Sequence, residues 1–140
     1  MRNQNSKLVL DTGVIQLYFA GDKKVKHYFD EIITGKAEGF TCEENLAEFY
    51  AKTCNVLGRG VADTRYFQLR RQEVLKLVPL DETITRLTGQ LKCKHRDKVS
   101  LVDCSVAATA KTHKANLITT DGFLAEVARS EGIAVHLIEI

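Results

Sequence analysis

The stretch "SKLVLDTGVIQLYF", residues 6–19, sets the reading of the whole chain. Leu8, Val9 and Leu10 follow one another without a polar break, which predicts a strand covered on both faces, the kind found in parallel sheets. The strand is read over 7–11, and from Gly13 the apolar spacing turns helical over 13–20. Asp11 therefore stands at a strand's carboxyl end, where open α/β sheets bind their ligands. An aspartate in that place also caps the helix that follows. On this stretch alone the two readings are level.

The same alternation continues along the rest of the chain. A helix over 22–34 opens on Asp22 and stops at Gly35, and 38–41 is a short strand. Residues 42–57 form a helix with Glu43 and Glu44 in its first turn and Gly58 past its end. A helix over 61–76 precedes a strand at 77–80, whose Pro79 argues for a sheet edge. Helices over 81–95 and 100–114 follow, then a strand at 116–121, a helix over 123–132 and a last strand at 133–140. Strands alternating with helices predict an α/β fold on a largely parallel sheet of about five strands. One domain over 1–140 is expected, because no repeat, linker or low-complexity segment interrupts the pattern.

Composition narrows the classes. With 44% hydrophobic and 27% charged residues and a single proline, the chain has the make-up of a soluble globular protein. No apolar run approaches the roughly 20 residues of a membrane helix. "MRNQNSKLVLD" lacks the features of a secretory signal, so a cytoplasmic protein is expected. Cys42, Cys54, Cys93 and Cys104 form no CxxC pair, and the four histidines form no HxH or HxxxH pair. Free, mostly buried thiols are expected rather than disulfides or a zinc site. The net charge of +2 is too mild to define a partner, but Lys92, Lys94, Arg96 and Lys98 gather in "LKCKHRDK". Such a cluster is either a solvated helix end or a phosphate-contacting patch.

Four acids stand where a surface or capping role is an incomplete account. Asp11 and Asp121 each close an apolar strand, and neighbouring strands would bring both to one crevice. Asp121 also begins an Asp-Gly turn. Asp103 fits a capping box with Ser100, yet shares a helical face with Val106, Ala107 and Ala110, where an unpaired acid is expensive. Glu48 lies at the margin of a stripe of Leu46, Phe49, Tyr50 and Thr53, with Lys52 placed for an i,i+4 ion pair. Glu44, one turn earlier, competes with it. Like charges about 5 Å apart repel by roughly 3 kcal/mol at an effective dielectric near 20. Four carboxylates in one crevice thus call for a counter-charge, and a hard divalent cation with oxygen ligands supplies it.

The Asp-Thr-Gly tripeptide alone would suit half of an aspartic protease, but this chain has neither a second such motif nor a β-rich pattern. The assembled motifs instead resemble the PIN-domain family, and within it the VapC-type toxins of toxin–antitoxin pairs. The resemblance rests on "LVLDT" with Asp11, "NLAEFY" with Glu48, "SLVDCSVAATA" with Asp103 and "LITTD" with Asp121, in register along nearly the whole chain. It favours Glu48 over Glu44. It implies a three-layer α/β/α fold and an endoribonuclease using Mg²⁺ or Mn²⁺. Asp11, Asp103 and Asp121 would hold the metal and Glu48 would help hold it or place the attacking water. Thr12 and Thr119 would orient the carboxylates, and Lys92, Lys94, Arg96 and Lys98 would draw in RNA. A cognate antitoxin and a homodimer are the implied partners. Rival readings are a non-catalytic PIN module binding RNA or protein, and a housekeeping RNA-processing nuclease.

Two departures stand out. Family members commonly carry Ser or Asn where this chain has Gly13, so Gly13→Ser is expected to restore a hydroxyl and tighten metal binding. Many also carry a second acid just after the last aspartate, which "DGF" lacks.

Overall fold

The computed structural model describes residues 6–71 and 74–140. The first strand, β1 (Ser6–Leu10), carries its apolar run into the middle of a five-stranded sheet. Its neighbours are β2 (Ala37–Cys42) on one side and β4 (Asn116–Thr119) on the other. The short strands β3 (Lys76–Val78) and β5 (Val135–Leu137) form the edges, in the order β3-β2-β1-β4-β5. Every pairing is parallel.

Because side chains alternate across a strand, the continuous apolar run of β1 serves two cores at once. Leu8 and Leu10 face one core with Ile15, Phe29, Leu46, Phe49 and Ile118. That side is built by α1 (Thr12–Phe19), α2 (Lys23–Ile33), α3 (Glu43–Leu57) and α4 (Arg59–Arg71). Val9 and Leu117 face the opposite core with Ile84, Val106, Ala107 and Leu124. Here α5 (Glu82–His95), α6 (Leu101–His113) and α7 (Gly122–Ser130) supply the cover. Helices on both faces of a parallel sheet give the three-layer α/β/α arrangement that the family resemblance implies, on the α/β class that the strand pattern predicts.

The strand order places the switch in winding direction between β1 and β4. β1, β2 and β3 step outward in one direction, and the chain then returns to lay β4 on the other side of β1. In register, Leu10 faces Ile118, and the Asp11 amide donates to the Ile118 carbonyl at 3.1 Å. The two strands thus end together. In open α/β sheets the crevice at such a switch is the usual ligand site.

Several boundaries differ from the sequence reading. The helix expected over 61–76 runs over Arg59–Arg71, and Lys76 already belongs to β3; Gln72 and Glu73 lie outside the described residues. Its sequence carries little amphipathic periodicity to mark an end, which is why pattern alone overran it. The last strand shrinks from 133–140 to Val135–Leu137, because β4 offers only four residues to pair with. Pro79 falls just past β3, which is indeed an edge strand. The sheet is wholly parallel rather than mainly so. All four cysteines are free, with Cys42 and Cys104 buried, Cys54 half-buried and Cys93 exposed.

Candidate functional site

Each of the four acids is set in place by ordinary local chemistry. Asp11 caps α1, its Oδ1 accepting from the Thr12 amide at 2.8 Å. Its other oxygen accepts from the Thr119 hydroxyl at 2.7 Å. Thr119 Oγ1 in turn accepts from the Asp121 amide at 3.0 Å, so one threonine joins the ends of β1 and β4. Asp121 caps α7 through the amides of Phe123 and Leu124. Asp103 makes the reciprocal capping box with Ser100. Glu48 accepts from the Thr12 hydroxyl at 3.0 Å and lies 4.0 Å from Lys52.

Capping does not exhaust their role, because all four carboxylates line one cleft of about 380 Å³. Thr12, Gly13, Gln16, Lys52, Ser100 and Thr120 complete its wall. Asp11 and Asp121 converge there because the paired strands β1 and β4 end together, and α3 and α6 bring Glu48 and Asp103 from their N-terminal halves to the same edge of the sheet. Thr119 lies beneath the cleft, buried against Asp11. Glu44 belongs elsewhere: one turn before Glu48, it lines a separate apolar cavity.

The electrostatics bear the mark of crowding. Asp11 is only 6% exposed, and burial pushes its carboxyl up from 3.8 to about 6, against the pull of the Thr119 and Thr12 hydrogen bonds. The negative charges of Asp103 and Glu48 push in the same direction. Asp103 is likewise raised, by burial first, and then by Asp121 and Glu48. Desolvation and like charge both disfavour ionisation and outweigh the hydrogen bonds from Thr119, Thr12 and Ser100, while Lys52 is the one cationic side chain in the cleft lining.

Behind the cleft, Asn45 is fully buried and holds the frame together. Its amide nitrogen donates to the Leu10 carbonyl at 3.0 Å and to Thr41 Oγ1 at 2.7 Å. Its side-chain oxygen accepts from the Thr12 hydroxyl. That hydroxyl has one proton, which Asn45 and Glu48 both solicit. Sequence reasoning missed Asn45, although an asparagine beside the Leu46 and Phe49 stripe of α3 was the available signal. It also missed Gln16, which carries no motif, and Thr120, which lies within "LITTD" beside the threonine it singled out.

Gly13 has a tertiary reason. A Cβ at this position would fall far inside van der Waals contact with Thr120 Oγ1. The hydroxyl expected from Gly13→Ser therefore meets an occupant: Thr120 already places a hydroxyl of its own in that space. The substitution forces the half-buried Thr120 hydroxyl to turn aside, a rotamer adjustment that costs about 1 kcal/mol. We expect Gly13→Ser to lower the melting temperature and Gly13→Ser/Thr120→Ala to recover most of the loss. A thermal melt of both variants checks this, and an unchanged melt for Gly13→Ser would refute the clash.

The basic cluster takes a different place. Lys92 Nζ donates to the carbonyls of Arg96 and Val99, closing the end of α5. Lys94 pairs with Glu131 at 2.9 Å, and Lys98 pairs with Glu126. Arg96 sits at φ +50° in the 3₁₀ turn Arg96–Lys98. None of the four lines the acidic cleft. Glu131 also accepts from His95 and Lys111, and these partners hold its carboxyl down at about 2.

A carboxylate-lined cleft at the switch point of an all-parallel sheet defines a class of acid-centred α/β proteins. The PIN domain family model matches residues 8–130, and the chain belongs to that family. No curated protein matches it by sequence. Among solved structures, it is similar to FitAcB from Neisseria gonorrhoeae at 21% identity and a TM-score of 0.69, covering 91% of this chain and 95% of that one. VapBC2 from Rickettsia felis, bound to a DNA fragment from its promoter, aligns at 15% identity and a TM-score of 0.73, over 95% and 99% of the two chains. VapC20 from Mycobacterium tuberculosis, described as a Sarcin-Ricin loop cleaving toxin, aligns at 16% identity and a TM-score of 0.70, over 95% and 98%. At these identities the likeness establishes the fold.

Proposed function

We propose that this PIN-domain protein is a VapC-type endoribonuclease toxin that cuts RNA with Mg²⁺ or Mn²⁺ at the acidic cleft. The observation that carries the reading is the gathering of Asp11, Glu48, Asp103 and Asp121 around one cleft. The fold likeness to FitAcB, VapBC2 and VapC20 supports it.

The residues fit a hard divalent ion in a particular way. The donors are all carboxylate oxygens, and burial with mutual repulsion already strains Asp11 and Asp103 toward protonation. Among the described residues no three Asp, Glu, His or Cys side chains close into a ready-made metal cage. An ion that keeps much of its water shell and takes few protein ligands suits this spacing. Asp11, Asp103 and Asp121 would hold it directly or through water, with Glu48 assisting. A bound divalent ion lowers the pKa of water and offsets charge on a phosphate.

The chain's own groups then have definite tasks. Thr119 and the Thr12 amide fix both oxygens of Asp11, so its carboxylate cannot turn away. Glu48, fixed by Thr12, would orient the attacking water. Lys52 would meet a phosphate oxygen at the cleft wall. Lys92, Lys94, Arg96 and Lys98, which precede the Ser100 wall in sequence, would attract RNA at longer range. We further propose a cognate antitoxin as partner, a homodimer as the assembled form, and the cytoplasm as the place of action.

Cleavage of a structured RNA by the purified chain tests the reading. EDTA is expected to stop cleavage and added Mg²⁺ or Mn²⁺ to restore it, and Asp103→Asn should remove it while leaving the protein folded. In the absence of metal, Asp103→Asn should be as stable as the parent or more so, since it relieves a strained acid and an asparagine still accepts from the Ser100 amide. Cleavage that persists in EDTA would sink the metal reading. A folded chain that binds RNA but never cuts it, with any metal, would favour the non-catalytic module.

A further inference from the structure

The cavity on the far side of the first turn of α6 raises a separate question. It measures about 220 Å³ and is walled by Leu80, Leu101, Val102 and Gly89, with Glu44 as the charged group in its lining. Glu44 is half-buried, and its Oε1 is packed into the cavity wall with no hydrogen-bond partner among the described residues, so a donor in the cavity meets it once the side chain turns inward. Among the described residues it is the one buried side-chain oxygen left in this condition. Leaving a carboxylate oxygen dry and unpaired in apolar surroundings is costly.

The wall cannot supply the missing donor. Thr88 donates its hydroxyl to the Ile84 carbonyl at 2.7 Å, Thr85 to Leu80 at 3.3 Å and Ser105 to Val102 at 2.6 Å. Each hydroxyl has one proton, and each is spent on backbone. No lysine, arginine or histidine lines the cavity. Among the described residues no side chain supplies the donor, and the lining gives the shape of one that would. An apolar throat with an acid in it matches a side chain with an apolar stem and a cationic tip. A guanidinium suits burial better than an ammonium, because it is more weakly hydrated and can engage a carboxylate in two bonds. Leu101, 58% exposed at the rim, offers apolar surface to whatever carries that side chain.

We propose that this cavity is a docking socket for an arginine side chain of a protein partner, with Glu44 as its anchor. The socket is distinct from the acidic cleft: Ser100 and Asp103 face the cleft, whereas Leu101, Val102 and Ser105 face the cavity. It stands whether or not the chain cuts RNA.

The test titrates the isotope-labelled chain with the blocked tripeptide acetyl-Leu-Arg-Leu-amide, reading backbone amide shifts. The lysine and glutamine versions serve as comparisons. Saturable shifts are expected at Thr88, Gly89 and Val102 with the arginine peptide, weaker ones with lysine and none with glutamine. Glu44→Gln should abolish them, a weakening of at least about 30-fold. Gly89→Leu, which adds a side chain into open space at the mouth, should block binding with Glu44 intact. Asp11→Asn should leave binding unchanged. The proposal is overturned if the peptide shifts centre on Asp11 and Asp103, if they survive both socket variants, or if no saturable shift occurs. A concentration-dependent dimer that Glu44→Gln dissolves would assign the socket to a second copy and overturn the choice of a separate partner.

Discussion

Replacing Asp11 by asparagine is expected to cut RNA cleavage by at least about 100-fold, at or beyond the upper end of what losing a group that merely supports a metal ligand costs. The same change is expected to stabilise the metal-free protein at pH 8. Burial raises the Asp11 carboxyl to about 6 in the fold, from 3.8. Between those values the folded chain holds a proton that the unfolded chain has released, so stability falls as pH rises from about 4 to about 6. Above that window the full cost of roughly 3 kcal/mol persists, at 1.36 kcal/mol per pKa unit. The asparagine side chain carries no charge and escapes it. The offset is the bond from Thr119, whose hydroxyl meets an amide nitrogen instead of Asp11 Oδ2, a loss of about 1 kcal/mol. A net gain of about 2 kcal/mol raises the melting temperature by about 4–8 °C at this chain length. Near pH 4 the folded parent is protonated, most of the gain disappears and the lost bond dominates, so the variant becomes the less stable of the two. Melts in EDTA at pH 4 and pH 8 check the reversal. A variant less stable at both pH values would mean that Asp11 is held by its bonds and not strained by its burial.

Asn45 carries the second large effect. Asn45→Ala removes two donors and one acceptor from a fully buried site, taking a donor from the Leu10 carbonyl and from Thr41 Oγ1, leaving the Thr12 hydroxyl to Glu48 alone and opening a void behind the cleft. The expected cost is about 3 kcal/mol, or a drop of about 6–12 °C in melting temperature. Asn45→Asp conserves size and so separates packing from hydrogen bonding. It sets an acceptor against the Leu10 carbonyl and adds a charge near Asp11 and Glu48. At pH 8 it should cost more than the alanine, and acidification toward pH 4 should recover part of the loss by protonating it. If both variants melt within about 1 °C of the parent, the network does not hold the frame.

How legible these features were depends on the physics behind each. The unbroken Leu8-Val9-Leu10 run reads as a strand buried on both faces, and that pattern is local, so the α/β class and the caps at Asp22, Gly35 and Gly58 were readable residue by residue. The end of α4 was not, because its weak amphipathic pattern held no stop and the partner strand sets where β3 begins. The acids were visible one at a time, each with a capping role that competed with a functional one. In the fold both descriptions hold: Asp11, Asp103 and Asp121 cap helices, and the same carboxylates line the cleft.

Local sequence thus sets the elements and the residue types at their ends, since helix periods, strand runs and caps depend on neighbours a few positions apart. Only long-range packing settles that β4 lies against β1, that Glu48 and Glu44 serve different cavities, that Thr120 occupies the space over Gly13, and that Lys92, Lys94 and Lys98 are engaged away from the cleft. Those outcomes follow from which distant surfaces meet. Burial, crowding of like charge and the supply of hydrogen-bond partners exist only once that packing is made.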